Sequence, residues 1–386
     1  MREAKRRGSR VLARMREAKR RGSRVLASSR PHVLASLQTV KQPEIFPLML
    51  IQAVQGVRIM IDASKGMPPV EPGDNAFNGY EMLMEACQPI EPITVAVVHP
   101  CDDISLTGAI DAAEQGLINP ILVGPIQRIQ AVAESEGIDL SPYRIIDVEH
   151  SHASAFKSVE LVRLGEADAL MKGSLHTDEL LAEVVNKATG LRTSRRISHC
   201  FIMDVPTYPK PLIVTDGAVN IAPDLKAKAD ICQNAIELAQ VLRIKTPKVA
   251  LLSAVETVTP DIPSTLDAAA LCKMADRGQI TGGILDGPLA LDNAISMEAA
   301  RTKKIVSPVA GQADVLIVPN LEAGNILAKQ LTFLARAEAA GIVVGARAPL
   351  ILTSRADTVR ARMASCAVAV LFVHARRSQL SLEHTI

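Results

Sequence analysis

Tryptophan is absent from these 386 residues, and Trp, Tyr and Phe together make up only 2%. Platforms that stack single-stranded nucleic acid need aromatic faces, so such a role is not expected. The core must instead be built from Val, Ile, Leu, Ala and Met, which suits buried parallel strands and packed helices. The six cysteines (Cys87, Cys101, Cys200, Cys232, Cys272 and Cys366) include no CxxC pair. That usage points to a reduced cytoplasmic protein with small buried thiols and no zinc site. No GxGxxG follows the first strand, and GxxxxGK[ST], GxSxG and HExxH are all missing, which argues against dinucleotide, P-loop, hydrolase-elbow and zincin readings. No apolar run reaches the ~18 residues of a membrane span. The basic start lacks the apolar stretch of a signal peptide.

Charge is present but uneven. Residues 1–30 carry twelve Lys or Arg against two Glu, while the whole chain is only +2, so the rest is acidic. Residues 1–13 (MREAKRRGSRVLA) recur letter for letter at 15–27. Two copies do not make a solenoid. The head reads as a solvated, disordered extension, with a basic arm for nucleic acid or anionic lipid as the alternative. Pro43, Pro47, Pro68, Pro69, Pro72 and Gly73 break up any long element before residue 78. We therefore expect an irregular extension over 1–77.

From about Tyr80 the pattern becomes regular. Apolar runs at 93–98, 121–124, 143–148 and 169–171 alternate with helical stretches at 105–115, 126–136 and 154–164. A second series follows: strands at 211–215, 249–253, 282–285, 315–319, 342–344 and 350–353. Helices are predicted at 223–242, 263–277, 294–304 and 321–339. Strands alternating with helices imply parallel sheet with right-handed crossovers. We read an α/β protein of two three-layer domains with a cleft between them, one over 78–204 and the other over 205–346.

Ligands of open α/β sheets gather beyond the carboxyl ends of strands. The most informative such end is Thr353-Ser354-Arg355-Ala356-Asp357, after the apolar run 348–352. A guanidinium is a fixed fork for phosphate, a hydroxyl can donate to an oxyanion, and a carboxylate can take a proton. Together these could move an acyl group between a phosphate and a thiol. The same text also fits a plain helix N-cap. Lys172-Gly173 suits a phosphate contact or a turn, and His176-Thr177 follows directly. His99 reads as a turn residue. Arg192, Arg195 and Arg196 form either an anion clamp or a solvated face. Asp286-Gly287-Pro288 is a turn by composition. Gly324-Asn325 either faces a ligand or opens a helix.

Six blocks in order resemble the phosphate acetyl/butyryltransferase family: MKGSLHTDELL (171–181), TGLRTSRRISH (189–199), the text of 203–225 and of 253–296, SPVAGQADVLIVPNLEAGNILAKQL (307–331) and LTSRADTVRAR (352–362). The resemblance spans roughly residues 80–375. It is strongest to the acyltransferase part of bifunctional enoyl-CoA hydratase/phosphate acetyltransferases, whose hydratase domain residues 1–77 are too short and irregular to form. It implies the fold of isocitrate and isopropylmalate dehydrogenases, with 347–386 returning to the first domain. It implies reversible conversion of acyl-CoA and phosphate into acyl phosphate and CoA. CoA is then a substrate, no cofactor is tightly bound and no metal is used. It also implies a homodimer or larger homo-oligomer, with neither membrane nor nucleic acid as partner. By position it makes Ser354, Arg355 and Asp357 catalytic. The residues expected to hold substrate are Lys172, Gly173, His176, Thr177, Arg192, Asp286, Gly324 and Asn325. The alternative on the same fold is a dehydrogenase of the isocitrate/isopropylmalate or hydroxythreonine-phosphate type.

Overall fold

The structure is a computed structural model and describes residues 79–353 and 357–383. The expectations for residues 1–77, and those for Ser354 and Arg355, lie outside the described residues. The first half of the chain runs α1 (Gly79–Cys87), β1 (Ile93–Val98), α2 (Asp103–Glu114), β2 (Ile118–Gly124), α3 (Ile126–Glu136), β3 (Arg144–Asp147), α4 (Ser151–Arg163), β4 (Ala169–Lys172), α5 (Thr177–Val184) and β5 (Ser198–Asp204). It continues β6 (Leu212–Thr215), α6 (Leu225–Val241), β7 (Lys248–Leu252), α7 (Pro263–Asp276), β8 (Ile284–Leu289), α8 (Leu291–Ile295), α9 (Met297–Thr302) and β9 (Val315–Ile317). The last elements are α10 (Leu321–Leu334), β10 (Glu338–Val344), β11 (Leu350–Ile351) and α11 (Val359–Glu383).

Local chemistry sets many of these boundaries. Asp102 accepts the amide of Ser105 at 2.9 Å, and Asp224 that of Ala227 at 2.8 Å, so each caps the N-terminus of a helix. Three expectations are corrected. The helix predicted over 321–339 ends at Leu334, because Arg336 takes a left-handed φ of 55° and the chain turns into β10. The helix predicted over 294–304 is two short pieces. Ser296 separates them, and its hydroxyl accepts the Ala299 amide that opens α9. Asp286-Gly287-Pro288 is not a turn but part of β8. A proline is tolerated there because β8 is an edge strand.

The strands form one sheet in the order β3-β2-β1-β4-β11-β10-β5-β6-β9-β7-β8. β1, β2, β3, β4 and β11 run parallel to one another. β6, β9, β7 and β8 form a second parallel set. Between the sets, β10 is antiparallel to both β11 and β5, and β5 is antiparallel to β6. The second set therefore points opposite to the first. The register nevertheless brings ends of both sets to the middle of the sheet: β4 ends one residue beyond the Met171–Ile351 pair, and Thr215 at the end of β6 lies opposite Cys200. β11 arrives late in the chain yet inserts beside β4, where the Leu170 amide donates to the Pro349 carbonyl at 3.1 Å.

The two faces of this sheet are packed differently. On one face a single apolar cluster runs from Val95 and Val97 through Ile342, Cys200 and Ile213 to Val249 and Leu251. Helices α2, α3, α6, α7 and α11 close it with Leu106, Ile129, Ile231, Leu271 and Cys366. On the other face there are two clusters. One joins Val98, Leu170 and Val343 to Val159 of α4 and Leu180 of α5. The other joins Met203, Val214, Leu252 and Leu316 to Ala294, Ala300 and Leu327 of α8, α9 and α10. A seam separates them over β10 and β5.

Candidate active site

The floor of the seam is read from cross-strand pairing. Phe201 of β5 stands opposite Gly341 of β10, and the Leu352 amide donates to the Gly341 carbonyl at 3.4 Å. Residues directly opposite in an antiparallel pair share a face. Phe201, Gly341 and Leu352 thus form one row, with His199, Val343 and Leu350 in the row beside it. The interior of β5 is buried except at Phe201, which is half-exposed, as is Leu352. Phe201 and Leu352 are thus partly reachable from the seam, while Gly341 between them is buried. Gly341 has no room for a side chain: a Cβ would lie 2.7 Å from the Leu352 carbonyl oxygen and 3.0 Å from His199 Nε2.

The second set of strands contributes one wall. Asp216, after β6, accepts the amides of Ala218, Val219 and Asn220, each at 3.0 Å, which fixes that loop. Gly217 packs against Phe201 and against the first turn of α10, where Asn325 Nδ2 donates to the Gly217 carbonyl at 3.2 Å. Gly324 and Asn325 are thereby brought to the seam. Val219 reaches across and packs against the α5 cluster. Arg196 Nε donates to Asn220 Oδ1 at 2.8 Å, and Arg195 pairs with Glu237 at 2.6 Å. Arg192 is exposed and shares a groove with Arg196, Asn220 and Lys226.

The first set contributes the other wall. The Gly173 amide donates to the Val98 carbonyl at 2.9 Å and that of Ser174 to the His99 carbonyl at 2.8 Å. This ties the ends of β4 and β1 together. Lys172 is half-buried, and its Nζ donates to the Gly173 carbonyl at 3.2 Å. His176 is exposed at the N-cap of α5 and makes no side-chain cap bond, and Thr177 opens the helix. His99 sits in a left-handed turn, with Arg128 3.4 Å from Nε2. Arginine can only donate, so Nδ1 carries the proton and donates to Ser154 Oγ at 3.1 Å. Half-buried Asp357 is held differently: its carbonyl accepts Arg362 at 2.7 Å, and the Arg362 side chain packs on Gly108 of α2, a helix of the other face. Asp286 stands apart. β8 lies four strand spacings, about 19 Å, from β5, and the Asp286 carboxylate accepts the Gly287 amide.

Sequence reasoning missed His199, Phe201 and Gly341. The available signal was an imidazole and a phenyl ring inside the strand SHCFIMD, text too short and mixed for a clear period. His199 is 1% exposed, and its ring meets Phe201 edge-on at 4.3 Å. Burial pushes its pKa down to about 4, with the Asp216 carboxylate partly opposing. The unfolded chain binds this proton near pH 6.5 and the folded one only near 4. The contribution to stability is therefore complete above about 6.5 and is lost as pH falls toward 4. His199→Gln should flatten the fall in melting temperature between pH 7 and 4.5, removing up to about 1.4 kcal/mol per pH unit. An unchanged slope would show that this imidazole is not buried neutral.

The sequence family described as phosphate acetyl/butaryl transferase matches residues 151–370. A phosphate acetyltransferase of Rhizobium meliloti is 61% identical over 299 residues, covering 78% of this chain and 95% of the relative. A phosphate butyryltransferase of Clostridium acetobutylicum is 44% identical over 296 residues, covering 77% and 97%. The crystal structure of a branched-chain phosphotransacylase from Enterococcus faecalis superposes with a TM-score of 0.65 at 31% identity, covering 73% of this chain and 99% of that one.

Proposed function

The chain belongs to the phosphate acetyl/butyryl transferase family, and on that premise we propose that it transfers an acetyl or other short-chain acyl group reversibly between CoA and inorganic phosphate. The observation that carries this reading is the match over nearly the whole length of relatives that are acyltransferases. The dehydrogenase alternative is set aside on the same ground.

The roles run as follows. Asp357 takes the proton from the CoA thiol, whose own pKa leaves little thiolate at neutral pH. The thiolate attacks the carbonyl carbon of the acyl phosphate, forming the C–S bond. The carbonyl oxygen takes up the negative charge and accepts a hydrogen bond from Ser354. The C–O bond to phosphate then breaks, and the phosphate leaves with its charge held by Arg355. Lys172 and Gly173 line the phosphate side together with His176 and Thr177. Asp178 and Glu179 occupy the first turn of α5, so the anion is assigned to side-chain cations rather than to that helix terminus. Arg192 serves as the second anion contact, and Gly324 and Asn325 form the opposite wall.

Direct attack is favoured over an acyl-cysteine relay by the state of the thiols. Burial raises the pKa of all six cysteines, Cys101 to about 11 and Cys200 to about 12. Thiols held protonated are poor nucleophiles. Both substrates are then bound together, and their positioning supplies much of the rate gain. In this reading residues 78–204 plus 347–386 form one lobe and 205–346 the other. The chain works in the cytoplasm with CoA as a substrate and no tightly bound cofactor. Among the described residues, no helix is long and apolar enough to cross a membrane.

The chain is also proposed to act as a homodimer. Ile326, Phe333 and Leu334 of α10 are 65%, 70% and 79% exposed on one helical face, an apolar stripe that a second copy would cover. Sedimentation should show a dimer that Phe333→Glu dissociates; a dimer untouched by that change would place the interface elsewhere. The activity is tested by phosphate-dependent release of CoA from acetyl-, propionyl- and butyryl-CoA. Arg355→Ala should lower kcat by about two orders of magnitude or more. Near-normal turnover in that variant would discredit the assigned site, and no phosphate-dependent release in the unaltered protein would discredit the function.

A further inference from the structure

We propose that the cavity between α6 and α11, on the face of the sheet opposite the seam, is a separate anion site in which Arg195 and Arg376 hold a small organic anion that is not a substrate. The inference goes beyond the acyl-transfer reading and uses none of the residues assigned to it.

The cavity is built before any ligand arrives. Its volume is about 610 Å³, inside the range of about 300 to 1,000 Å³ typical of small-molecule sites. The loop before β5, α6, α11 and the end of β10 line it. Gly345 at that strand end has a left-handed φ of 93°, and a Cβ on it would lie 2.5 Å from the Arg196 carbonyl oxygen. Only glycine lets the loop sit this close. Thr193 Oγ1 donates to the Gly345 carbonyl at 2.6 Å. Buried Asn234 of α6 donates to the Arg196 carbonyl and to Ser198 Oγ, each at 2.9 Å. Gln233 exchanges two hydrogen bonds with Thr281, at 3.1 and 3.0 Å. Val344 and Phe372, both buried, give the cavity an apolar side. Thr193, Ser194 and Arg195 border this cavity and the groove of Arg192 alike, so their loop is a partition between the two.

The charge of the lining points to an anion. Arg195 and Arg376 stand against one carboxylate, Glu237, which leaves one positive charge in excess. Arg376 is half-buried, and its Nη1 donates to the carbonyls of Ala346 and Arg347, each at 3.0 Å. Among the described residues no carboxylate lies within ion-pair distance of it. Burial pulls its pKa below the usual value, the Glu237 carboxylate opposes this and Arg195 adds to it, so both groups are near enough to act on it. A half-buried cation answered only by carbonyl dipoles gains from an anion. Arg195 pairs with Glu237 at 2.6 Å, but the two side chains are 37% and 41% exposed, and so exposed a pair is worth little. Arg195 can share its fork with a ligand at small cost. Guanidinium forks match carboxylate and phosphate oxygens, and the apolar side takes a short carbon body. The ligand class is therefore an organic anion carrying a carboxylate or a phosphate ester.

The test is isothermal titration of the full chain with CoA at saturation, so that the CoA site is already filled. Succinate is the carboxylate probe and glycerol 3-phosphate the phosphate-ester probe, and the tighter of the two identifies the source of the charge. Arg376→Ala should weaken the binding about tenfold or more, and Arg376→Lys by a smaller factor. Glu237→Gln removes the one carboxylate among the described lining residues and should tighten the binding several-fold, a gain that a misfolded variant would not give. Binding of neither probe to the unaltered chain would overturn the site. So would affinities that stay the same in folded Arg376→Ala and Glu237→Gln.

Discussion

Everything in this molecule turns on the antiparallel pairing of β10 with β11 and β5 at the middle of a single sheet. Two parallel sets, each with its own helices, cannot be joined through a parallel neighbour and still point in opposite directions. The two strands β10 and β5 make the join: the three antiparallel pairings β11–β10, β10–β5 and β5–β6 together reverse the direction, and their hydrogen bonds hold the two halves as one sheet. On one face the packing ignores the reversal and builds a continuous core. On the other face each half gathers its own helices, and the apolar packing divides in two. The seam is thus a by-product of topology: a groove backed by a rigid sheet, with walls from different parts of the chain.

That origin accounts for the chemistry that can be placed there. Loops from both halves border the groove because β4 and β6, running in opposite directions, both end near the level of Phe201 and Cys200. Asp216 and Asn325 lock one wall, and the tie from Gly173 and Ser174 to β1 locks the other. The floor is apolar and holds a neutral imidazole, so it gives negative charge nothing to pair with. On the proposed reading the cations come from the walls, where Lys172 and Arg192 stand. Rigid placement of two substrates, rather than a reactive protein nucleophile, is the device such a site offers.

Much of the fold was legible in the sequence. The buried runs of β1 and β4 and the long helix α6 follow from apolar periodicity and turn residues, and the capping acids Asp102 and Asp224 mark helix starts. What was not legible was pairing. No local pattern says that β11 inserts beside β4, or that β10 runs backwards, because these depend on contacts between residues far apart in the chain. Residues 335–344 were divided between a helix and a short strand, since the alanine-rich text of 335–340 suits either until Arg336 turns the chain. The site was half legible for the same reason. The strand-end rule picked Lys172, Gly173, Gly324 and Asn325, which border the seam, and also Asp286, which lies on the far edge strand. It could not find His199, Phe201 and Gly341, because they lie within strands and matter only through the row they form together.

The central claim is that this seam is where CoA and phosphate meet. The most direct measurement is a crystal structure of the chain with CoA and inorganic phosphate. The account predicts the pantetheine sulfur in the groove over β10 and β5 and the phosphate against Arg355. Density for CoA on an outer surface, with the groove over β10 and β5 left to solvent, would contradict it.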